Sequence, residues 1–92
     1  MDKLLTVGFE FFENLYFSLI RVKRKNDLNE YQITVMNGDL ERLLYGNHII
    51  REINGCLQIE VSEKNLQELL KLKIAEALSQ LLDIPLIKKL SS

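Results

Sequence analysis

The side chains able to do chemistry in this 92-residue chain are few. There is one cysteine, Cys56, and one histidine, His48, with Asp39 and Glu52 as the acids considered beside them. A cysteine nucleophile needs a base within hydrogen-bond reach of its sulfur. Cys56 directly follows Asn54-Gly55, a dipeptide suited to a type I′ turn, in which both central residues have positive φ. Such a turn sets His48 and Cys56 at opposite ends of one hairpin, and at ~3.3 Å per strand residue they lie far beyond contact. One histidine and one cysteine also cannot build a metal site. The glycines at 8, 38, 46 and 55 are too dispersed to cradle a phosphate. The expectation is a chain with no catalytic residue, no metal ligands and no cofactor.

A second constellation is basic and aromatic. Arg21, Lys23, Arg24 and Lys25 follow Tyr16, Phe17 and Leu19. Sheet modules that bind RNA or single-stranded DNA stack bases on strand aromatics and hold phosphates with flanking cations. Phe17, Arg21, Lys23, Arg24 and Lys25 are therefore the nucleic-acid candidates, and this is the alternative reading of function. The bland account is a solvated hairpin end in which Lys23 faces Glu30 across the strands. Charge favours the bland account. Twelve basic and thirteen acidic residues give a net charge of -1. Residues 1–25 carry +2, residues 26–63 carry -5 and residues 64–92 carry +2, so no extended basic face is built.

Composition bounds the scaffold that holds these residues. A hydrophobic share of 47 % with 27 % charged residues excludes a disordered tail or a low-complexity linker. No run approaches the ~18 apolar residues of a membrane helix. An acid at position 2 and Glu10 inside the first apolar run do not suit a secretory signal, so the expected location is cytoplasmic, away from membranes.

Hydrophobic periodicity then supplies the elements of a single domain over residues 1–92. Leu5, Val7, Phe9 and Phe11 alternate with smaller or polar residues, the mark of a half-buried strand. The pattern predicts strands over 4–12, 15–24 and 29–36. A turn at Glu13-Asn14 would set Val7 opposite Ile20, and a loop at 25–28 would set Val22 opposite Tyr31 and Ile20 opposite Ile33. Asp39 as N-cap and Gly46 as stop frame a short helix over 39–45. A hairpin over 48–61 turns at Asn54-Gly55 and pairs Ile53 with Cys56, Ile50 with Ile59 and His48 with Val61. Residues 63–83 repeat leucines at 3.6-residue spacing, from Leu66, Leu69 and Leu70 to Leu78, Leu81 and Leu82. Ser62 would cap this helix, and Pro85 would end it near Asp83, leaving 84–92 as a tail. The fold class is α+β: an antiparallel sheet of about five strands, a short crossover helix and one long amphipathic C-terminal helix on one face.

One helix covers one face. The residues alternating with the core set then point outward: Phe12, Leu15, Phe17, Leu19 and Met36, with Ile49, Ile53 and Cys56 on the second hairpin. Monomers rarely expose large contiguous apolar patches, so these eight are the interface candidates. The expected function is a small non-catalytic binding or assembly module with itself as partner, as a homodimer. The alternative cover is the short helix together with the tail, whose Leu86 and Ile87 would fold back over the face.

The turn assignment is testable. Gly55→Val places a β-branched residue where φ must be positive. The variant is expected to melt clearly below the parent in a thermal scan, and equal melting temperatures would remove the turn.

Overall fold

A computed structural model describes residues 3–26, 28–44, 46, 48–61 and 65–90. It is an α+β arrangement of six strands and two helices. In chain order these are β1 (Lys3–Phe11), β2 (Asn14–Lys25), β3 (Leu28–Val35), α1 (Gly38–Leu43), β4 (Ile49–Ile53), β5 (Cys56–Val61), α2 (Leu66–Leu82) and β6 (Leu86–Leu90). The strands lie side by side in sequence order. The first five are antiparallel, and β6 runs parallel to β5 after α2 has crossed over the sheet. Among the described residues no helix is long and apolar enough to cross a membrane.

The sixth strand corrects the expectation of five antiparallel strands and a free tail. Leu86 pairs with Leu57 and Ile87 with Gln58, while the Leu57 amide donates to the Pro85 carbonyl at 2.8 Å. Pro85 ends the helical course and also opens the strand, a position where its missing N–H does no harm. The tail therefore extends the sheet and does not fold over its outer face.

The hairpins form for the expected reason, with one shift. β2 and β3 pair Val22 with Tyr31 and Ile20 with Ile33 as read from the sequence. The ladder also takes in Lys25 and Leu28, so the connecting loop is two residues shorter than expected. Between β1 and β2 the turn falls at Phe12-Glu13, whose φ values are 49° and 67°, and Val7 faces Ser18 instead of Ile20. The displacement is two residues, an even number, so every side chain keeps its face. Asn14, expected inside the turn, pairs with Phe11 and its amide nitrogen donates to the Phe12 carbonyl at 3.1 Å. Ser18 is fully buried and donates to the Thr34 carbonyl at 3.0 Å, which satisfies the hydroxyl inside the core.

Both helices begin at asparagine. Asn37, not Asp39, caps α1, and its Oδ1 accepts from the Asp39 and Leu40 amides at 3.1 Å each. Asn65 caps α2 by accepting from the Gln67 amide at 2.9 Å. Ser62 and Glu63, expected at that end, lie outside the described residues. Asp83 closes α2 in the left-handed region at φ 56°, and the Ile84 amide donates to the Ser79 carbonyl.

The core lies between α2 and the inner sheet face. Leu70, Ile74, Ala75 and Leu78 meet Val7, Phe9, Ile20, Ile33, Ile50 and Leu57, all buried. Steps of four residues draw a row through Leu70, Ile74 and Leu78 that leans toward Ala75 and Leu82. Leu66 and Leu81 fall on the other flank and remain about half exposed, so they leave the expected core set. Leu44, just past α1, is fully buried, while Leu40 and Leu43 pack partly against the same core.

Leu78→Ala should cost ~2–5 kcal/mol, because it opens a cavity in that buried row. Exposed Gln80→Ala on the same helix is the control. A denaturant midpoint for Leu78→Ala no lower than the control's would mean that the buried row is misassigned.

Candidate functional site

The outer face of the sheet is the surface α2 leaves uncovered, and register orders its residues into rows. At one end Glu10 pairs with Leu15, and Gly8 pairs with Phe17. Met36 extends the Phe17 row, its amide donating to the Phe17 carbonyl at 2.9 Å. Next come Thr6, Leu19 and Thr34, then Leu4, Arg21, Gln32 and Ile49. The following row is charged: Lys23, Glu30 and Arg51, continuing to Gln58 and Ile87. Glu30 takes Arg51 Nε at 3.1 Å and Lys25 Nζ at 3.7 Å. The face is therefore apolar at one end and ionic across its middle.

The apolar end has a built geometry. A Cβ on Gly8 would meet Phe17 Cε1 at 3.3 Å and Leu15 Cδ1 at 3.7 Å, so the ring and the leucine rest over the glycine backbone. Gly8 reads as a place where a cross-strand aromatic covers bare main chain. Even so, Leu15 and Phe17 remain 62 % and 48 % exposed, with Leu4 at 55 % and Met36 at 57 %. A shallow hollow bordered by Leu4, Leu19, Arg21, Gln32 and Thr34 adjoins them. The exposed parts of these side chains amount to roughly 400 Å², the size at which a patch on a monomer becomes notable.

A second feature lies where β4 and β5 meet. Their ladder joins only Arg51–Ile53 to Cys56–Gln58. The expected pairs Ile50 with Ile59 and His48 with Val61 are absent from it, while β5 stays paired with β6 as far as Val61. The sheet forks there, and a cleft of about 300 Å³ opens in the fork. Ile49, Ile53 and Ile59 give it aliphatic walls, and α2 contributes Glu68 and Lys71. Burial lowers the Lys71 ammonium from its ordinary range; nearby Arg51 adds to this, and Glu60 and Glu68 oppose it.

The structure sorts the sequence candidates. Leu15, Phe17, Leu19 and Met36 share one end of the outer face, with Ile49 one row further on. Phe12 stands exposed in the adjacent turn, its ring edge-on to Phe11. Ile53 and Cys56 pair with each other beyond the ionic row, partly buried and apart from the rest. Among the nucleic-acid candidates, Phe17, Arg21, Lys23 and Lys25 share the outer face, but Arg24 alternates to the other side with Asn29. Leu4 falls outside the sequence candidates because it opens the strand expected over 4–12. The fork was missed because turn arithmetic fixes where a ladder starts and not where it stops.

The side chains first considered for catalysis are each in other bonds or far apart. His48 Nε2 lies 2.9 Å from Glu41 Oε2, while Glu41 Oε1 accepts from the Val35 amide at 2.9 Å, clamping β3, α1 and the approach to β4. Asp39 pairs with Arg42 at 3.2 Å. Glu52 accepts the Tyr31 hydroxyl at 2.5 Å on the inner face. Among the described residues no group of three His, Cys, Asp or Glu could hold a metal. Comparison with protein-family models, with curated proteins and with solved structures finds no match.

The Tyr31–Glu52 pair generates a pH prediction. Burial, then the bond to Glu52 and its negative charge, push the Tyr31 phenol above its ordinary value. The neutral phenol is thus favoured in the fold, and its stabilisation is complete below the unfolded value near 10. It is lost as pH rises from there toward the higher folded value. Denaturant midpoints should fall on going above about pH 10, and Tyr31→Phe should flatten that fall. An unchanged slope in Tyr31→Phe would separate the alkaline loss from this pair.

Proposed function

We propose that the chain is a cytoplasmic, non-catalytic assembly module that pairs with a second copy through the apolar end of its outer sheet face. The observation that carries this reading is the grouping of Leu15, Phe17, Leu19 and Met36 at one end of the outer face, Leu15 and Phe17 resting over Gly8, with about half of most of these side chains left in water. A further support is the position of β1. It is an outermost strand of nine residues without proline, and β2 is its one neighbour in the sheet. Edge strands of that length invite pairing unless charge or proline blunts them. The opposite edge, β6, is blunted: it is five residues long, follows Pro85 and carries Lys88 and Lys89. A two-fold axis that sets the two apolar ends face to face would bury them against each other, each copy contributing roughly 400 Å² of apolar contact, about half of the ~800 Å² a partner contributes to a stable interface.

Sedimentation of the parent and of Leu15→Glu combined with Phe17→Glu tests the reading. Both side chains are solvated in the single chain, so the double variant should keep its circular dichroism spectrum. The expected result is a parent dimer and a folded monomeric variant. A parent that is monomeric at ~100 μM would refute the module. Salt-sensitive binding of a mixed oligonucleotide, lost with Arg21→Gln and Lys23→Gln, would replace it with the nucleic-acid reading.

A further inference from the structure

The free edge of β1 carries an inference beyond self-association through the outer face. The two-residue turn at Phe12-Glu13 makes Phe11 and Asn14 a hydrogen-bonded pair, and such pairs alternate along an antiparallel ladder. Leu5, Val7 and Phe9 therefore direct their amides and carbonyls to β2, while Leu4, Thr6, Gly8 and Glu10 direct theirs away from it. Phe17 fixes the same phase, since its carbonyl accepts from the Met36 amide at 2.9 Å on the β3 side and so turns away from Gly8. Gly8 is exposed although Phe17 and Leu15 rest over it, so its main chain meets water along the edge. Among the described residues, none of these four makes a backbone bond outside the ladder with β2.

The same four residues set what can pair there. Their side chains lie on the outer face, and a strand laid antiparallel beside β1 meets them with every second residue. The residue opposite Gly8 finds no side chain there and comes against the Phe17 ring beyond it, which favours an apolar group. The residue two places earlier stands opposite Glu10 and near Glu13, and these two exposed carboxylates call for a cation. We propose that the β1 edge takes up an extended segment of another protein, antiparallel, with a lysine or arginine opposite Glu10 and an apolar residue two places later opposite Gly8. A second copy does not meet these terms. Residues opposite one another in a continuous sheet share a face, and Lys3, the one cation of β1, has the inner-face parity of Val22. No register of β1 against itself sets a cation opposite Glu10. Association of two outer faces leaves the edge open.

The experiment is a titration of the isotopically labelled whole chain with a blocked heptapeptide, lysine-threonine-phenylalanine-valine-threonine-serine-leucine, whose phenylalanine falls opposite Gly8. In the free chain amide exchange should be fast at Thr6, Gly8 and Glu10 and slow at Val7 and Phe9, and the peptide should slow the first three. Methylating the phenylalanine nitrogen removes the donor aimed at the Gly8 carbonyl and should weaken binding about tenfold. Methylating the valine nitrogen, which points away from β1, should leave binding unchanged. Glu10→Lys, whose spectrum elsewhere reports that it is folded, should weaken this peptide roughly fivefold and favour the peptide with glutamate in place of lysine. No change at the Gly8 amide with about 2 mM peptide would overturn the proposal. So would equal weakening by the two methylations, or a Glu10→Lys chain that binds both peptides alike. Protection of the Gly8 amide that rises with chain concentration alone would give the edge to a second copy instead. Sedimentation reads the outer-face contact and the methylated pair reads the edge, so a failure of either is a separate result.

Discussion

The contact between the buried row of α2 and the inner face of the sheet sets the rest of the structure. A strand alternates its side chains strictly, so choosing Val7, Phe9, Ile20, Ile33, Ile50 and Leu57 for burial also chooses what faces outward. The inner choice is enforced by several side chains at once. Fully burying one such residue contributes roughly 1.5–3 kcal/mol, and moving a strand by one residue would reverse all of its side chains together. A displacement of two residues keeps every side chain on its face, so parity alone does not choose between Val7 opposite Ile20 and the observed Val7 opposite Ser18. The outer face is thus the complement of the core. Its apolar end and its ionic row are where the sequence departs from plain solvated alternation.

How much of this was legible follows from the range of each signal. The β2–β3 register came out of local matching, because Val22 with Tyr31 and Ile20 with Ile33 all want the same side. Asn54-Gly55 declared its turn, and the observed φ values of 54° and 79° are those the dipeptide favours. Phe12-Glu13 declared nothing, since neither residue prefers positive φ and Asn14 beside them looked the better turn former. The cap at Asn37 was passed over for Asp39 because both residue types cap well, and backbone position decides between them.

The misses of larger scale are non-local. No short-range residue pattern announces a parallel pair, whose partners here are separated by a whole helix, so Leu86–Leu90 read as a tail. The fork has the same character. β4 is bound to β3 through Gln32 and Ile49, and the Ile33 amide continues that pairing to the His48 carbonyl at 2.7 Å. β5 is bound to β6 along its length. Each strand follows its own outer neighbour, and the seam between them ends early. The outer-face candidates separated for a simpler reason. Parity placed Ile53 and Cys56 on the same side as Phe17, but distance along the strands set an ionic row between them.

The order of the strands also bears on how the chain reaches this state. Every antiparallel pair joins segments consecutive in sequence, and three of the connections are only two residues long, at 12–13, 26–27 and 54–55. Such contacts close small loops and form quickly. The β5–β6 pair closes a loop about ten times longer, with α2 inside it, and by loop-closure entropy it forms later. Until then β5 is an outermost strand, with Leu57 and Ile59 beside a row of unpaired amides. The interval before β6 docks is therefore the stage at which the folding chain is most open to association with the wrong strand. Lys88 and Lys89 on the arriving strand close that opening and leave a charged border in its place.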